Sequence, residues 1–427
     1  MAVTTAKMVE VLFENALETY ESQTMLLNMC DFIEPDGAMM QNTGNIIWRT
    51  LDQHAPIISG WDLTGEETGI IDLAYPAYLG TPDNDFVRVR ADDLRDKHFW
   101  EKRGKAAGRR QASNLNSDIA SAITLQGALF YRSNATDGFD FIGEAQAMMN
   151  ERQLANNGRY FVINDRDQLT FATDLASRQT IKGRPSDAWA TGQIGSQVAQ
   201  FDLFDGSFLP NLTGGADPAV TCTGDHTFAP RAGTSTVSIG SGVVTNYDCR
   251  LASIIVNNSA LLTVGDKITI ENTGVSIKAL GLDDKTNTAQ AMIFSVVELT
   301  DATHIQVYPR PIAADDAALS TVEKSYANVD TVILDAATIT RLNTDATKRA
   351  NIFWDKEAVE VMGGTIPADL FQEFSGKKVI HQKMSNGLTM YFVYDGDIAT
   401  MNFRYRLFTW FGITIRRPEA CGVAVTY

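Results

Sequence analysis

The sequence predicts an α+β protein with a small antiparallel β-barrel inserted between two parts of a mixed body. Three observations predict it. Helical apolar spacing runs from Thr5 to about Gln23 and again from Asp92 to about Tyr131. Short strands rich in Thr, Val, Ile and Gly begin near Leu212 and end near Thr340. Mixed helix and strand patterning lies on both sides of that run.

In the first helix, Met8, Val9, Leu12, Phe13, Ala16, Leu17 and Tyr20 fall on one face. Glu10, Glu14, Glu18 and Glu21 form a stripe at i, i+4, i+8 and i+11. Like-charge neighbours at this spacing disfavour an isolated helix by about 0.2–0.5 kcal/mol each. The stripe is either a solvated face or a docking surface for a basic partner helix.

Between Asp36 and Leu79, the β-type runs NIIWRTL (Asn45–Leu51) and GIIDLAY (Gly69–Tyr75) are separated by Pro56, Gly60 and the acidic turn LTGEETG. They describe a long two-stranded arm. An isolated hairpin is marginal in water, so the arm should lie on another surface, with Trp48 and Trp61 as its anchors.

The second helix carries Leu115, Ile119, Ile123 and Phe130 near one face, and about forty residues at ~1.5 Å each would span roughly 60 Å. Gly104 and Gly108, beside a basic cluster, predict a bend. Farther on, GFDFIGEAQAMMNERQLA reads as a helix and GRYFVIND as a buried strand. The segments TVSIGSGVV, RLASIIVN, DKITIEN, AMIFSVVELT and HIQVYPRP, separated by turns, predict the barrel. After Asn351 the hairpin KKVIHQKMSNGLTMYFVY carries a type I′ signal at Asn386-Gly387, and MNFRYRLFTWFGITI reads as one long strand.

Composition narrows the function. The 427 residues, 44% of them hydrophobic, suffice for roughly three domain-sized units with sizeable cores. The N-terminus lacks the basic start and apolar block of a signal peptide, and no stretch is long enough to span a bilayer, so a soluble protein made in the cytosol is expected. Four widely spaced cysteines, Cys30, Cys222, Cys249 and Cys421, read as free thiols. A net charge of -16 argues against a surface that grips phosphates.

No P-loop, G-x-S-x-G, H-E-x-x-H or C-x-x-C occurs, and five histidines leave little for imidazole chemistry. Cys222 and His226, with Cys249 and His304, match no zinc spacing. Asp92, Asp93 and Asp96 interleave with Arg90, Arg95 and Lys97, for which mutual ion pairing is simpler than a metal site. We therefore expect no catalytic residues, no metal and no cofactor.

The stretch Gly60–Trp100, with PDNDFVRVRADDLRD at its core, is the most specific in the chain. With FSVVELTDATH (Phe294–His304), SYANVDT (Ser325–Thr331), NIFWDKEAVEV (Asn351–Val361) and RRPEACGV (Arg416–Val423), it resembles the major capsid (coat) proteins of short-tailed, P-twenty-two-like bacteriophages. The resemblance implies the tailed-phage capsid fold of phage Hong Kong ninety-seven. Its parts would be an N-terminal arm (1–35), an E-loop (36–80), a peripheral domain with a long spine helix (81–150), the first part of an axial domain (151–211), the inserted barrel (212–342), and the remainder of the axial and peripheral domains (343–427).

The resemblance further implies self-assembly as hexamers and pentamers into an icosahedral shell. That shell would enclose double-stranded DNA without sequence-specific binding, and would form as a precursor around a scaffolding protein, with a portal protein, before expanding. Glu14, with Glu10 and Glu18 on the same face, would meet the scaffolding protein. Asp92, Asp93, Arg95 and Asp96 would make structural or intersubunit ion pairs. The family's charged two-fold loop corresponds to TSTVSIGSGVVTNYDCR, which is nearly uncharged apart from Asp248 and Arg250. The rival reading is a carbohydrate-active or carbohydrate-binding β-rich protein, suggested by the β-module, the acidic balance and six tryptophans.

Overall fold

The computed structural model describes residues 5–34, 45–65, 67–90, 97–133, 138–156, 158–169, 193–231, 236–239, 242–245, 248–344, 347–397 and 401–426. Its helices include α1 (Thr5–Gln23), α2 (Lys97–Gln126), α3 (Phe139–Glu151), α4 (Thr321–Lys324) and α5 (Ala368–Ser375). The chain divides into one unit of Met1–Ile47, Ala77–Ile119 and Val359–Thr414, and a second of Trp48–Pro76, Ala120–Ala358 and Ile415–Tyr427.

In the first unit, α1 forms where the apolar spacing predicts it and buries Val9, Leu12, Phe13, Ala16 and Tyr20. It crosses α2 at the two glycines. A Cβ on Gly104 would stand 2.5 Å from the Leu12 carbonyl oxygen, and one on Gly108 would run into that of Ala16. The helix continues through both positions, where the glycines admit a neighbouring backbone.

Beside them lies an antiparallel sheet in the order Lys378–Lys383, Thr389–Asp397, Asn402–Thr409 and Asp83–Arg90. Trp100 of α2 packs edge-on against Phe403, with ring centroids 5.8 Å apart. Arg103, one turn on, bonds Asp85 at 2.6 Å and the Tyr405 hydroxyl at 2.8 Å. The long strand expected over 401–415 breaks at Trp410: Phe411–Ile415 joins a separate sheet with Val359–Gly363 and Asp31–Ile33. The Asn386-Gly387 hairpin closes differently from the expected type I′ turn. Only Gly387 of the pair takes a positive φ, 93°, and its N–H bonds the Met384 carbonyl, as in a type I turn closed by a left-handed glycine.

The second unit holds a six-stranded mixed sheet, ordered Leu129–Ser133, Cys421–Thr426, Asn351–Asp355, Arg159–Ile163, Phe201–Asp205 and Gln193–Val198. Stacked Phe161 and Phe353, 5.8 Å between centroids, sit at its centre with Phe141 of α3 and Phe201. Here α2 ends earlier than expected, because Leu129–Ser133, Phe130 included, is needed as a strand paired in parallel with Cys421–Thr426. At about 1.5 Å per residue its thirty residues span about 45 Å.

The barrel strands follow the order Val220–Thr221, Thr338–Arg341, Lys267–Asn272, Phe294–Leu299, His304–Tyr308 and Ala252–Ile255. Alternate residues, among them Ile254, Ile268, Ile270, Phe294, Val296 and Val307, fill its interior. A bridge between Cys222 and Val256 joins the last strand to the first and closes it. Closure leaves the sheet without free edges.

Lys267 starts a barrel strand but is fully buried, and its ammonium donates to the carbonyls of Gly127 (2.5 Å) and Leu125 (3.3 Å) and to the Ser295 hydroxyl (2.8 Å). The last turn of α2 has no basic residue of its own, so this lysine supplies donor and cation to the orphan carbonyls at the helix end. Burial pushes its pKa down from 10.5 to about 7, against weaker opposing effects of Cys421 and Asp266.

Two outcomes follow for the unassembled chain. Gly108→Ala should lose about 1–3 kcal/mol in urea unfolding by overpacking the crossing. Gly143→Ala, where the nearest atom to a new Cβ is 3.9 Å away, should be neutral or stabilising. Between pH 7 and pH 10.5 the unfolded chain holds the Lys267 proton and the folded chain releases it, so stability gains with rising pH in that window. Urea melts at several pH values should show wild type gaining on Lys267→Met as pH rises, and a constant difference would refute the assignment.

Candidate assembly surfaces

Glu10, Glu14 and Glu18 are all exposed along one side of α1, opposite its buried face. Glu21, the fourth member of the stripe, is engaged within the unit by the Ser385 N–H at 2.6 Å. The first three therefore form an acidic strip held rigidly by the α1–α2 crossing.

The arm pairs Ile46–Thr50 with Ala74–Tyr78, a register later along the chain than GIIDLAY suggested. Its base in the second unit is tightly held. The Leu51 N–H bonds the Leu73 carbonyl at 2.9 Å, and Leu73 and Tyr75 join a buried cluster with Ile312 and Tyr326. Asp52 accepts from Arg416 at 2.8 Å and also from Arg417, while the Tyr326 hydroxyl accepts from the His54 N–H and donates to the Ile71 carbonyl. Beyond this base the chain is open: Ile57 is 95% exposed, Trp61 fully so, and Leu63 and Ile70 are also exposed. Trp48 lies at the margin of exposure, at 36%. Within this chain Trp61 thus anchors nothing, and its indole is offered outward.

Asp248 and Arg250 take a different place from the two-fold contact expected of them. Both are buried, and the Arg250 guanidinium bonds Asp248 at 2.6 Å, donates to the Ile415 carbonyl and lies between the rings of Tyr75 (4.8 Å) and Tyr308 (5.2 Å). The Tyr308 hydroxyl donates to Asp248 at 2.9 Å. Burial opposes the charge, but Tyr308 and Asp248 more than offset it and hold the Arg250 pKa above the ordinary arginine range. Side chains committed this way inside the unit are not available to a neighbouring subunit. Asp92, Asp93, Arg95 and Asp96 lie outside the described residues.

The candidate ligating residues are also placed. Burial pushes the Cys222 thiol up to about 12, and His226, stacked on Phe228, is lowered by burial. His304 instead bonds Asp301 at 2.9 Å. All four cysteines are buried and none is in a disulfide. Among the described residues no group of three or more His, Cys, Asp or Glu side chains is arranged to hold a metal ion.

An outward apolar arm in one unit and an acidic helix face in the other are each suited to contacts between macromolecules, and comparison with known proteins accords with that. Over residues 1–426 the chain matches the family described as P22 coat protein, gene protein 5. The chain belongs to this family of coat proteins. Among solved structures, this coat protein is similar to the capsid of the cyanophage P-SCSP1u, at 10% identity and TM-score 0.45, over 93% of this chain and 86% of that one. It is also similar to the capsid of Ralstonia phage GP4, at 8% identity and TM-score 0.44, over 96% and 90%. A third is from Mycobacterium phage Che8, at 12% identity and TM-score 0.43, over 94% and 90%.

The function is that of a major capsid protein: a structural chain that assembles with copies of itself into the shell of the virion. Family membership decides against the carbohydrate reading. Sequence reasoning missed the groups that root the arm of this coat protein. Tyr75, Tyr308, Arg416 and Arg417 are far apart in sequence, and no local pattern joins them. For Asp248 and Arg250 the spacing carried one usable signal, since an acid and a base two residues apart can pair through a tight turn, as they do here.

Removing one partner of this buried pair should be costly. Arg250→Met is expected to lose about 3–5 kcal/mol in urea unfolding of the unassembled coat protein, because it strands the Asp248 carboxylate. The double variant Asp248→Asn, Arg250→Met should recover part of that loss.

Proposed function

We propose that the chain forms hexamers and pentamers of itself that close into an icosahedral shell, first as a precursor around a scaffolding protein and then as an expanded shell holding double-stranded DNA. A portal protein would occupy one vertex, and assembly would take place in the host bacterial cytoplasm. The observation that carries this reading is the arm. Its base is fixed by buried groups while Ile57, Trp61, Leu63 and Ile70 stand in solvent, and an apolar tip that a chain cannot bury alone is best covered by a neighbouring copy. Trp48 and Trp61 are proposed as its contacts.

The exposed strip of Glu10, Glu14 and Glu18 is proposed to dock a basic helix of the scaffolding protein, which would relieve the like-charge repulsion along α1. Asp92, Asp93, Arg95 and Asp96 are proposed to pair with bases of this chain or of a neighbour. We retain the division into N-terminal arm (1–35), E-loop (36–80), spine-bearing peripheral domain (81–150), axial domain (151–211 and part of 343–427) and inserted barrel (212–342). DNA would be enclosed without sequence-specific binding, in keeping with the net charge of -16.

Expression with and without the scaffolding protein, followed by negative-stain electron microscopy, tests the assembly. Closed shells of uniform size are expected with the partner, whereas a persistent 46.8 kDa species would overturn the reading. Glu10→Gln, Glu14→Gln and Glu18→Gln together should leave the fold intact and lower the amount of scaffolding protein recovered in particles at least several-fold. Trp61→Ala should leave unfolding of the unassembled chain unchanged, as befits an exposed side chain, but reduce the yield and heat stability of shells.

A further inference from the structure

Within the second unit lies a cavity of about 290 Å³ between the base of the arm, the inserted barrel and the C-terminal segment. In a chain with net charge -16, its lining is unexpectedly basic. Arg250, Arg310, Arg416, Arg417 and Lys285 line it, against the carboxylates Asp52, Asp283 and Glu419. Arg250 is already committed to Asp248, and Asp52 is shared by Arg416 and Arg417. Glu419 accepts from the Asn328 amide at 3.0 Å. Among the described residues Lys285 makes no side-chain hydrogen bond or ion pair, and its half-buried ammonium lines the cavity.

A second observation comes from behind the wall. Arg152, next to the cavity-lining Gln153, is 2% exposed, and its Nε and Nη2 have no hydrogen-bond partner. Glu419 of the lining is a partial counter-charge for it and opposes the effect of burial. Burial lowers the pKa of Lys285, Arg417 and Arg152, while Glu419 opposes the shift at all three and Asp283 and Asp284 also oppose it at Lys285. A buried cation that lacks a counter-charge is costly unless something supplies it.

We propose that this cavity binds a small multivalent oxyanion of the phosphate class. The forked N–H donors of Arg416 and Arg417, one of each already given to Asp52, suit a tetrahedral oxyanion, and Lys285 lines the same cavity as a point charge. The volume holds an inorganic phosphate or pyrophosphate with its remaining water and is far too small for a nucleic-acid duplex. A bound anion would connect the arm base, at Asp52 and His54, to the barrel and the C-terminal segment, all of which line the same space.

The test is calorimetric titration of inorganic phosphate and, separately, pyrophosphate into the full unassembled chain at fixed ionic strength in chloride. Wild type should bind saturably with a dissociation constant of about 1 mM or below, and Lys285→Gln should weaken it at least about tenfold. Lys285→Arg, which keeps the charge, and Lys105→Gln, at an exposed site on α2, should bind like wild type. Phosphate should raise the melting temperature of wild type and of Lys285→Arg but not of Lys285→Gln. Absence of saturable binding by wild type, or equal binding by Lys285→Gln, overturns the proposal. Because binding is read on the unassembled chain, either result leaves the coat-protein reading untouched.

Discussion

The second unit is held together at Arg250. Its guanidinium reaches a carboxylate two residues away, a carbonyl 165 residues away and the rings of Tyr75 and Tyr308, so one buried cation ties the arm base, the inserted barrel and the chain at Ile415. A charge in this position is tolerated only because it is paired, hydrogen-bonded and sandwiched between π-faces. Its removal would leave the buried Asp248 without its cation, held only by the Tyr308 hydroxyl and a backbone N–H, and the Ile415 carbonyl without the guanidinium donor. The arm can extend an apolar tip into solvent because its root is fixed in this way.

The same principle recurs at two other junctions of that unit. Lys267 uses a buried ammonium to satisfy the carbonyls at the end of α2, so the barrel completes a helix that precedes it in the chain by more than a hundred residues. Arg341 pairs with the buried Asp266 at 2.7 Å and also donates to the carbonyls of Ala216 and Leu261, fastening the barrel's return strand. Buried polar links of this kind add less to stability than apolar packing of equal volume would, but they accept only one geometry. For a subunit repeated many times in a closed shell, a single fixed relation between insertion and body is the property that matters.

The surfaces left over are chemically distinct from these junctions. The acidic strip of α1 and the apolar arm tip are exposed and unpaired within their own units, whereas the charges that looked available in the barrel sequence are internal. Exposed charge is cheap to keep and easily recruited by a partner, and exposed apolar surface gains by being covered. The division of labour between buried ion pairs that fix the subunit and open surfaces that join subunits fits an assembly protein.

Periodicity alone was enough to give α1, α3, the four barrel strands between Ala252 and Tyr308 and the α+β class, because each depends on contacts within a few residues or on alternation along a strand, whereas the run TVSIGSGVV pairs with itself as a separate two-stranded sheet and does not join the barrel. The family resemblance, too, was legible in five ordered segments. Local pattern failed where the outcome depends on what lies alongside. Gly104 and Gly108 show no local sign of the backbone of α1 that passes against them. Phe130 fits the helical spacing, yet the strand Cys421–Thr426 draws it into a sheet. Asp248 and Arg250 read as surface charges in a loop, but Tyr75, Tyr308 and Ile415 enclose them. The sequence determined which segments are helix or strand and which faces are apolar. Only the tertiary structure decided which charges are buried, since burial is set by residues tens to hundreds of positions away.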